Sequence, residues 1–322
     1  MNTSRHLAYI DWLKIFAIIL VVMRHLSWFN DHVTSSLFSI CIPIFFVING
    51  GLSLQRDYSF TTILHRNLHL LFIVAFWGCL SSVIWMSARS EPISVKQIIS
   101  HVCSLDAPYC NHLWFVCSLI VLNFLQPFLR EFIKSHNTKE IVILWAIIGV
   151  ISFQGLDRFL RPISIMENWN GYSLFYYIGG YLLLSNRINT KNLPTWSVSL
   201  LAILGFLILL THNWLLTSNE WWYNHFLHND LHFDSFRTYP CALLTLAIFE
   251  LASRIPLGET SVITYIARYT FAIYLIHWTL LLPTNLYIHT AWCKPIILIP
   301  VSLLIGILLD KIPYIRKIIQ NR

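Results

Sequence analysis

The chain has 322 residues, of which 56% are hydrophobic and only 11% charged, and a formal net charge of +7. Soluble domains carry roughly 25% charged residues, so this composition excludes a soluble globular protein and describes an integral membrane protein. The positive balance calls for no nucleic acid, because the basic residues flank apolar runs and there face anionic lipid headgroups.

Ten helices are predicted in chain order, over residues 7–28, 35–54, 67–88, 112–129, 140–155, 172–185, 196–216, 238–253, 263–283 and 294–310. Most have the roughly 17–25 residues needed to cross a hydrocarbon core, although the fifth, sixth and eighth are short. The runs Phe16–Met23 and Ile296–Leu309 are continuously apolar, with none of the alternation of a β-barrel. The expected fold is therefore all-α, a polytopic membrane protein of about ten transmembrane helices forming one domain over 1–322. No internal repeat, low-complexity tract or linker interrupts it.

Lys and Arg set the expected orientation, because cytoplasmic ends retain positive charge. With the N-terminus inside, most of them, from Arg5 and Lys14 to Lys317 and Arg322, lie at inner ends. The outer side keeps Arg24, Arg89, Lys96, Arg158, Arg161, Arg237 and Lys294. Both termini are thus expected in the cytoplasm. The first span has no small-residue cleavage site after its apolar stretch and is expected to stay attached. Of the seven cysteines, Cys103 and Cys110 share a predicted outer loop, where two free thiols are favoured over a disulfide.

The first span, "YIDWLKIFAIILVVMRHL" (9–26), carries Asp11, Lys14, Arg24 and His25. Ionisable groups at membrane depth are costly and default to a functional reading. Eleven residues are close to three helical turns, so Lys14 and His25 share a face about 16 Å apart along the axis, with Asp11 on the same stripe. Arg24 is rotated about 100° away and can snorkel outward. Asp11 and Lys14 alone would fit a plain span-end anchor. His25 does not, because the sequence stays apolar beyond it and an imidazole there must face protein or water. Imidazole is also the usual general base near neutral pH.

These residues carry a resemblance. The pattern Asp11-x-Leu-Lys14-(x10)-His25 resembles the first-helix signature of the acyltransferase-3 family of multispan membrane acyltransferases. "CIPIFFVINGGLSL" (41–54) resembles its Pro-x-Phe-Phe-x-x-Ser-Gly stretch, "HLWFVCSLIVLNFLQPFL" (112–129) its His-Leu-Trp-Phe helix, and "YTFAIYLIHW" (269–278) its Ser-x-x-x-Tyr-Leu-x-His helix. The four motifs run in order through nearly the whole chain. Asn49 and Thr270 stand where the family has Ser, and Arg66-x-x-His69 replaces Arg-x-x-Arg, which makes one charge of that clamp depend on pH.

The resemblance implies acetyl-CoA as a cytoplasmic acyl donor and, on the outer side, a sugar hydroxyl of a surface polysaccharide or its lipid-linked precursor. It implies a catalytic role for His25, with Lys14, Asp11, Arg66 and His69 on the donor side. Asn49, His112, Trp114, Tyr274 and His277 are the oxyanion or acceptor-side candidates. His112 and Trp114 also fit an aromatic belt, and His277 a structural role. The size of the chain resembles the branch acting on O-antigen, enterobacterial common antigen or exopolysaccharide in a bacterial inner membrane. A transporter or exporter using the same polar stripe is the alternative, though the interrupted half-helices of inverted-repeat transporters are missing.

"NHFLHNDLHFD" (224–234) places His225, His228 and His232 at plausible zinc spacing and contains His225-x4-Asp230, the pattern of glycerolipid acyltransferases. A polar outer loop gating the acceptor is preferred and no metal is expected. Gly179 and Gly180 read as close helix packing. Nucleophile-elbow, Walker, dinucleotide-binding and His-Glu-x-x-His motifs are all missing.

Overall fold

The computed structural model describes residues 7–26, 32–153, 171–218, 235–258, 260–288, 290 and 293–313. Among these residues there is no strand. The α-helices are α1 (Ala8–His25), α2 (His32–Phe38), α3 (Cys41–Ser53), α4 (Phe60–Ala88), α5 (Val95–Ser104), α6 (Trp114–Ser135) and α7 (Thr138–Ser152). They continue as α8 (Gly171–Leu184), α9 (Thr195–Ser218), α10 (Tyr239–Arg254), α11 (Ser261–Arg268), α12 (Thr270–Tyr287) and α13 (Cys293–Asp310).

Within the described residues each of the ten predicted segments falls on helix, but two of them break and one starts earlier, for identifiable reasons. The predicted 35–54 segment breaks between α2 and α3. Pro43 has no N–H to give the Ser39 carbonyl, which instead lies 3.5 Å from the Cys241 thiol, while Ser39 Oγ donates back to Ser36 O at 2.6 Å. The predicted 263–283 segment divides at Tyr269, whose hydroxyl donates to Asp310 of α13 at 2.9 Å. The helix expected from residue 67 starts at Phe60, because Ser59 Oγ accepts the Thr62 N–H and caps its first turn. The predicted loop between residues 88 and 112 contains α5, an amphipathic helix packed on α4.

Among the described residues, five stretches are long and apolar enough to cross a membrane: Val33–Ser53, Phe60–Ala88, Asn111–Ser135, Thr195–His212 and Cys293–Asp310. α1 matches them in length but carries Asp11, Lys14 and Arg24.

The chain packs as two compact units built from interleaved segments, Met1–Leu20, Phe29–Asp57 and Phe128–Glu259 in one, Val21–Trp28, Tyr58–Pro127 and Thr260–Arg322 in the other. In the first, α8 is buried almost throughout between α3 and α7, and α10 packs on α3, α8 and α9. The approach of α3 to α8 needs glycine. A Cβ on Gly50 would overlap the Tyr177 backbone and one on Gly180 the Val47 carbonyl, so the close-packing role read for Gly180 holds, whereas Gly179 faces Leu246 and Trp145. Tyr172, Tyr176 and Tyr177 are fully buried there. In contrast, α9 turns Leu200, Ile203, Leu204 and Leu207 outward, an apolar surface that water would not tolerate and lipid would.

Two ion clusters of this unit are closed on themselves. Asp57 accepts a two-pronged contact from the Arg130 guanidinium and a 2.9 Å bond from Lys134, and Arg130 also donates to the Leu54 carbonyl at the end of α3. Arg130 and Lys134 hold the Asp57 carboxyl well below the ordinary carboxylate range. Arg254 pairs with the buried Glu250 at 2.9 Å and donates to the carbonyls of Leu193 and Thr190.

In the second unit α12 packs between α4 and α13. Gly306 lets α13 approach Ala272. α4 and α6 are joined by a buried amide pair: Asn123 Nδ2 donates to Asn67 Oδ1 at 3.0 Å and Asn67 Nδ2 to the Ile120 carbonyl at 3.2 Å. Leu68, Leu71 and Phe72 of α4 and Ile296, Leu304 and Leu308 of α13 face outward.

Candidate functional site

α1 is an unbroken helix from Ala8 to His25, so the eleven-residue spacing from Lys14 to His25 is kept. At its first turns the buried Asp11 accepts a 3.0 Å bond from Lys14 Nζ, three residues on. At its last residue, His25 enters a cluster of rings in the second unit. The centroid of His25 lies 5.5 Å from that of His277 and 4.8 Å from that of Trp278, the latter edge-on at 83°.

α12 supplies His277, Trp278 and Tyr274. The i, i+3 spacing of Tyr274 and His277 places them on neighbouring parts of one helix face. His277 is fully buried, and its Nδ1 lies 3.1 Å from the Ile273 carbonyl, four residues back. A carbonyl only accepts, so Nδ1 carries the proton and Nε2 is the nitrogen with the free lone pair. That Nε2 is buried with no hydrogen-bond partner.

His112 comes from the short 3-10 turn Asn111–Leu113 that leads into α6. It is 3% exposed, its ring lies 5.0 Å from Trp278 and nearly parallel at 17°, and 6.3 Å from His277. The Tyr274 hydroxyl donates to the His112 backbone carbonyl, which fixes the turn against α12. Neither ring nitrogen of His112 has a hydrogen-bond partner. Buried polar atoms are nearly always satisfied, and exceptions point to strain, chemistry or a bound group. Three unsatisfied imidazole nitrogens around one indole are the unusual feature of this unit.

Chemically, the cluster offers proton acceptors and donors, and among the described residues no carboxylate is seen to pair with them. Among the described residues no group of three or more His, Cys, Asp and Glu side chains has the arrangement of a metal site. Residues 225, 228 and 232, read at zinc spacing, lie outside the described residues.

The remaining candidates fall elsewhere. Asn49 sits in α3 of the first unit, where its Oδ1 accepts the Ser53 hydroxyl at 2.9 Å. Trp114 is half-buried at the start of α6, beside Phe115. Arg66 lies 4.7 Å over the Tyr58 ring, and His69, one turn on, is half-buried with Nε2 unpartnered. Both are on α4, about 18–22 Å along the axis from Ser81, the residue that bonds Thr279 beside the cluster. Cys103 and Cys110 are free thiols, Cys103 exposed and Cys110 buried with its Sγ donating to the His101 carbonyl.

The family of the chain is carried by this same order of motifs, which fall on α1, α3, α6 and α12. The family model described as an acyltransferase domain, of the acyltransferase-3 type, matches residues 7–311. The chain belongs to the acyltransferase-3 family. It is accordingly a membrane acyltransferase, and the match runs through both units, from the N-terminal turn of α1 to the end of α13. No curated protein and no solved structure matches it.

Sequence reasoning singled out His25, His112, Tyr274 and His277, which the fold brings into one cluster. It missed Trp278 and Trp85. Trp278 directly follows His277, so the signal was present, but an indole in a span reads first as packing or an aromatic belt. Trp85 closes α4, stacks on Trp278 at 5.9 Å and donates its Nε1–H to the Trp278 carbonyl at 3.3 Å.

Proposed function

We propose that this acyltransferase O-acetylates a sugar hydroxyl of a bacterial surface polysaccharide or its lipid-linked precursor, with cytoplasmic acetyl-CoA as donor and His25 as general base. O-antigen, enterobacterial common antigen and exopolysaccharide are the acceptor classes put forward. The setting proposed is the bacterial inner membrane, crossed by ten helices with both termini inside.

The observation that carries the reading is the clustering of His25, His112 and His277, with buried imidazole nitrogens left unsatisfied on two of them. His25 is taken as the base from its place in the family motif and in this cluster, and the free nitrogens of His112 and His277 are available to hold the hydroxyl or the oxyanion. In the proposed step His25 takes the hydroxyl proton while the oxygen attacks the thioester carbonyl. The C–S bond then breaks and the proton passes from the His25 imidazolium to the coenzyme A thiolate. A relay through acyl-His25 has the same balance and fits the same geometry. His112 and His277 are the groups proposed to hold the acceptor hydroxyl or the oxyanion, the latter through a protonated His112 nitrogen.

Lys14 and Arg66 are proposed to neutralise the phosphates of the donor, with Asp11 ordering Lys14 through their ion pair. His69 is proposed as the weaker half of that clamp, since an imidazole lacks the planar fork of donors and the permanent charge of a guanidinium.

The test compares wild type with His25→Ala by NMR of surface-glycan acetyl esters. Loss of the esters at unchanged protein level in the membrane is expected, by about 100-fold or more. Retained acetylation would remove His25 from the chemistry.

A further inference from the structure

We propose that Trp278 is a positioning residue of the transfer centre, its indole setting the ring planes of His25 and His112. This rests on the reading of His25 as the base.

The need for such a residue follows from the cluster itself. The χ2 torsion of histidine is broad, and hydrogen bonds usually define it. His112 has no hydrogen bond on either nitrogen, so ring packing alone holds its plane. Its main partner is Trp278, parallel within 17°, and the same indole meets His25 at 83°. One ring thus fixes two imidazoles in steeply different orientations.

Trp278 is in turn restrained at several points. Its Nε1–H donates to the Pro108 carbonyl at 2.9 Å and approaches that of Tyr109 at 3.3 Å. Trp85 stacks on its ring and donates to its carbonyl. The next residue, Thr279, shares a 3.0 Å hydroxyl bond with Ser81 of α4. Tyr109 itself is tied down, stacking on His101 at 3.9 Å and donating its hydroxyl to Glu91 at 2.7 Å. That bond to the Glu91 carboxylate pushes the Tyr109 phenol up, so the hydroxyl stays a donor. The loop therefore anchors the indole and the indole orients the imidazoles. Tryptophan is needed because it combines a broad flat face with an edge N–H that reaches the loop.

A displacement of about 1 Å in a reacting group can lower a rate about 100-fold. The experiment uses the full chain in native membranes, following label from radiolabelled acetyl-CoA into the glycan of the expressing cells. Trp278→Leu is expected to lower the saturated transfer rate about 100-fold, with the KM for acetyl-CoA within about 2-fold of wild type. Trp278→Phe keeps a flat ring and loses the N–H anchor, so it should recover to within about 10-fold of wild type.

A second readout does not depend on transfer. In 13C-histidine-labelled protein, the His112 ring protons, assigned by their loss in His112→Phe, should lie upfield through stacking on the indole and move downfield in Trp278→Leu. Wild-type rates in both variants, equal losses accompanied by a raised KM, or unmoved His112 signals would overturn the proposal. Should the leucine variant not fold, the phenylalanine variant decides. It must lose rate without a change in KM, and an unchanged rate overturns the proposal. His25→Ala assayed in parallel separates the two ideas, since retained acetylation there defeats the function and leaves the His112 signal as the test of positioning.

Discussion

The Glu250 and Asp57 ion clusters of the first unit and the His cluster follow opposite rules. In the first unit Arg254 closes on Glu250 and two backbone carbonyls, and Arg130 and Lys134 close on Asp57. In the second, His112 and His277 keep buried nitrogens without partners. Satisfying a buried group stabilises a fold, whereas leaving it open costs free energy and points to strain, a bound group or chemistry. The comparison sets groups that hold the fold together against groups proposed to do the chemistry.

Breaking the closed side should give the largest free-energy change. Arg254→Ala leaves the Glu250 carboxylate buried and unpaired, and a loss of about 3–5 kcal/mol is expected in denaturant titration of the detergent-solubilised protein. The double variant Arg254→Met with Glu250→Gln should recover most of it, and a fall as large as in the single variant would show that the carbonyl contacts, not the pair, carry the effect.

On the open side the signs reverse. His112→Phe preserves a flat ring against Trp278 and removes two unsatisfied nitrogens, so the melting temperature is expected to hold or rise. Transfer to the glycan should nevertheless fall about 10- to 100-fold. A variant that melts early and transfers normally would invert the comparison.

The smallest effect is expected at Asp57, which is exposed and whose ion pairs are screened. Its folded-state affinity for a proton is lowered by Arg130 and Lys134, so its contribution is full above the ordinary carboxylate range. It shrinks as pH falls through that range and is gone below the depressed folded value. Melting curves of wild type and Asp57→Asn should therefore differ slightly near neutral pH and converge in acid. A gap that widens in acid would contradict the pairing.

Much of this was legible in the sequence, for particular reasons. The ion pair of Asp11 and Lys14 follows from i, i+3 spacing on a helix. His25, His112, Tyr274 and His277 were marked because their motifs recur in a family, and family motifs are read along the chain without any knowledge of contacts. Trp278 was passed over because an apolar aromatic carries no chemical signature of its own; only its neighbours make it a clamp. The break at Ser39–Ile40 follows from Pro43, which the sequence shows, whereas the Cys241 thiol that meets the freed Ser39 carbonyl, about two hundred residues away, was hidden.

The sequence by itself determined the membrane character, the helical segments, the spacing of Lys14 and His25 and the family, because hydropathy, helical period and motif order are local properties. Tertiary structure alone decided that residues 25, 112 and 277 converge, that buried nitrogens of His112 and His277 are left unsatisfied while Glu250 and Asp57 of the first unit are paired, and that one indole stands between two imidazoles. Those are relations among distant segments, and they exist only once packing has fixed which side chains share a volume.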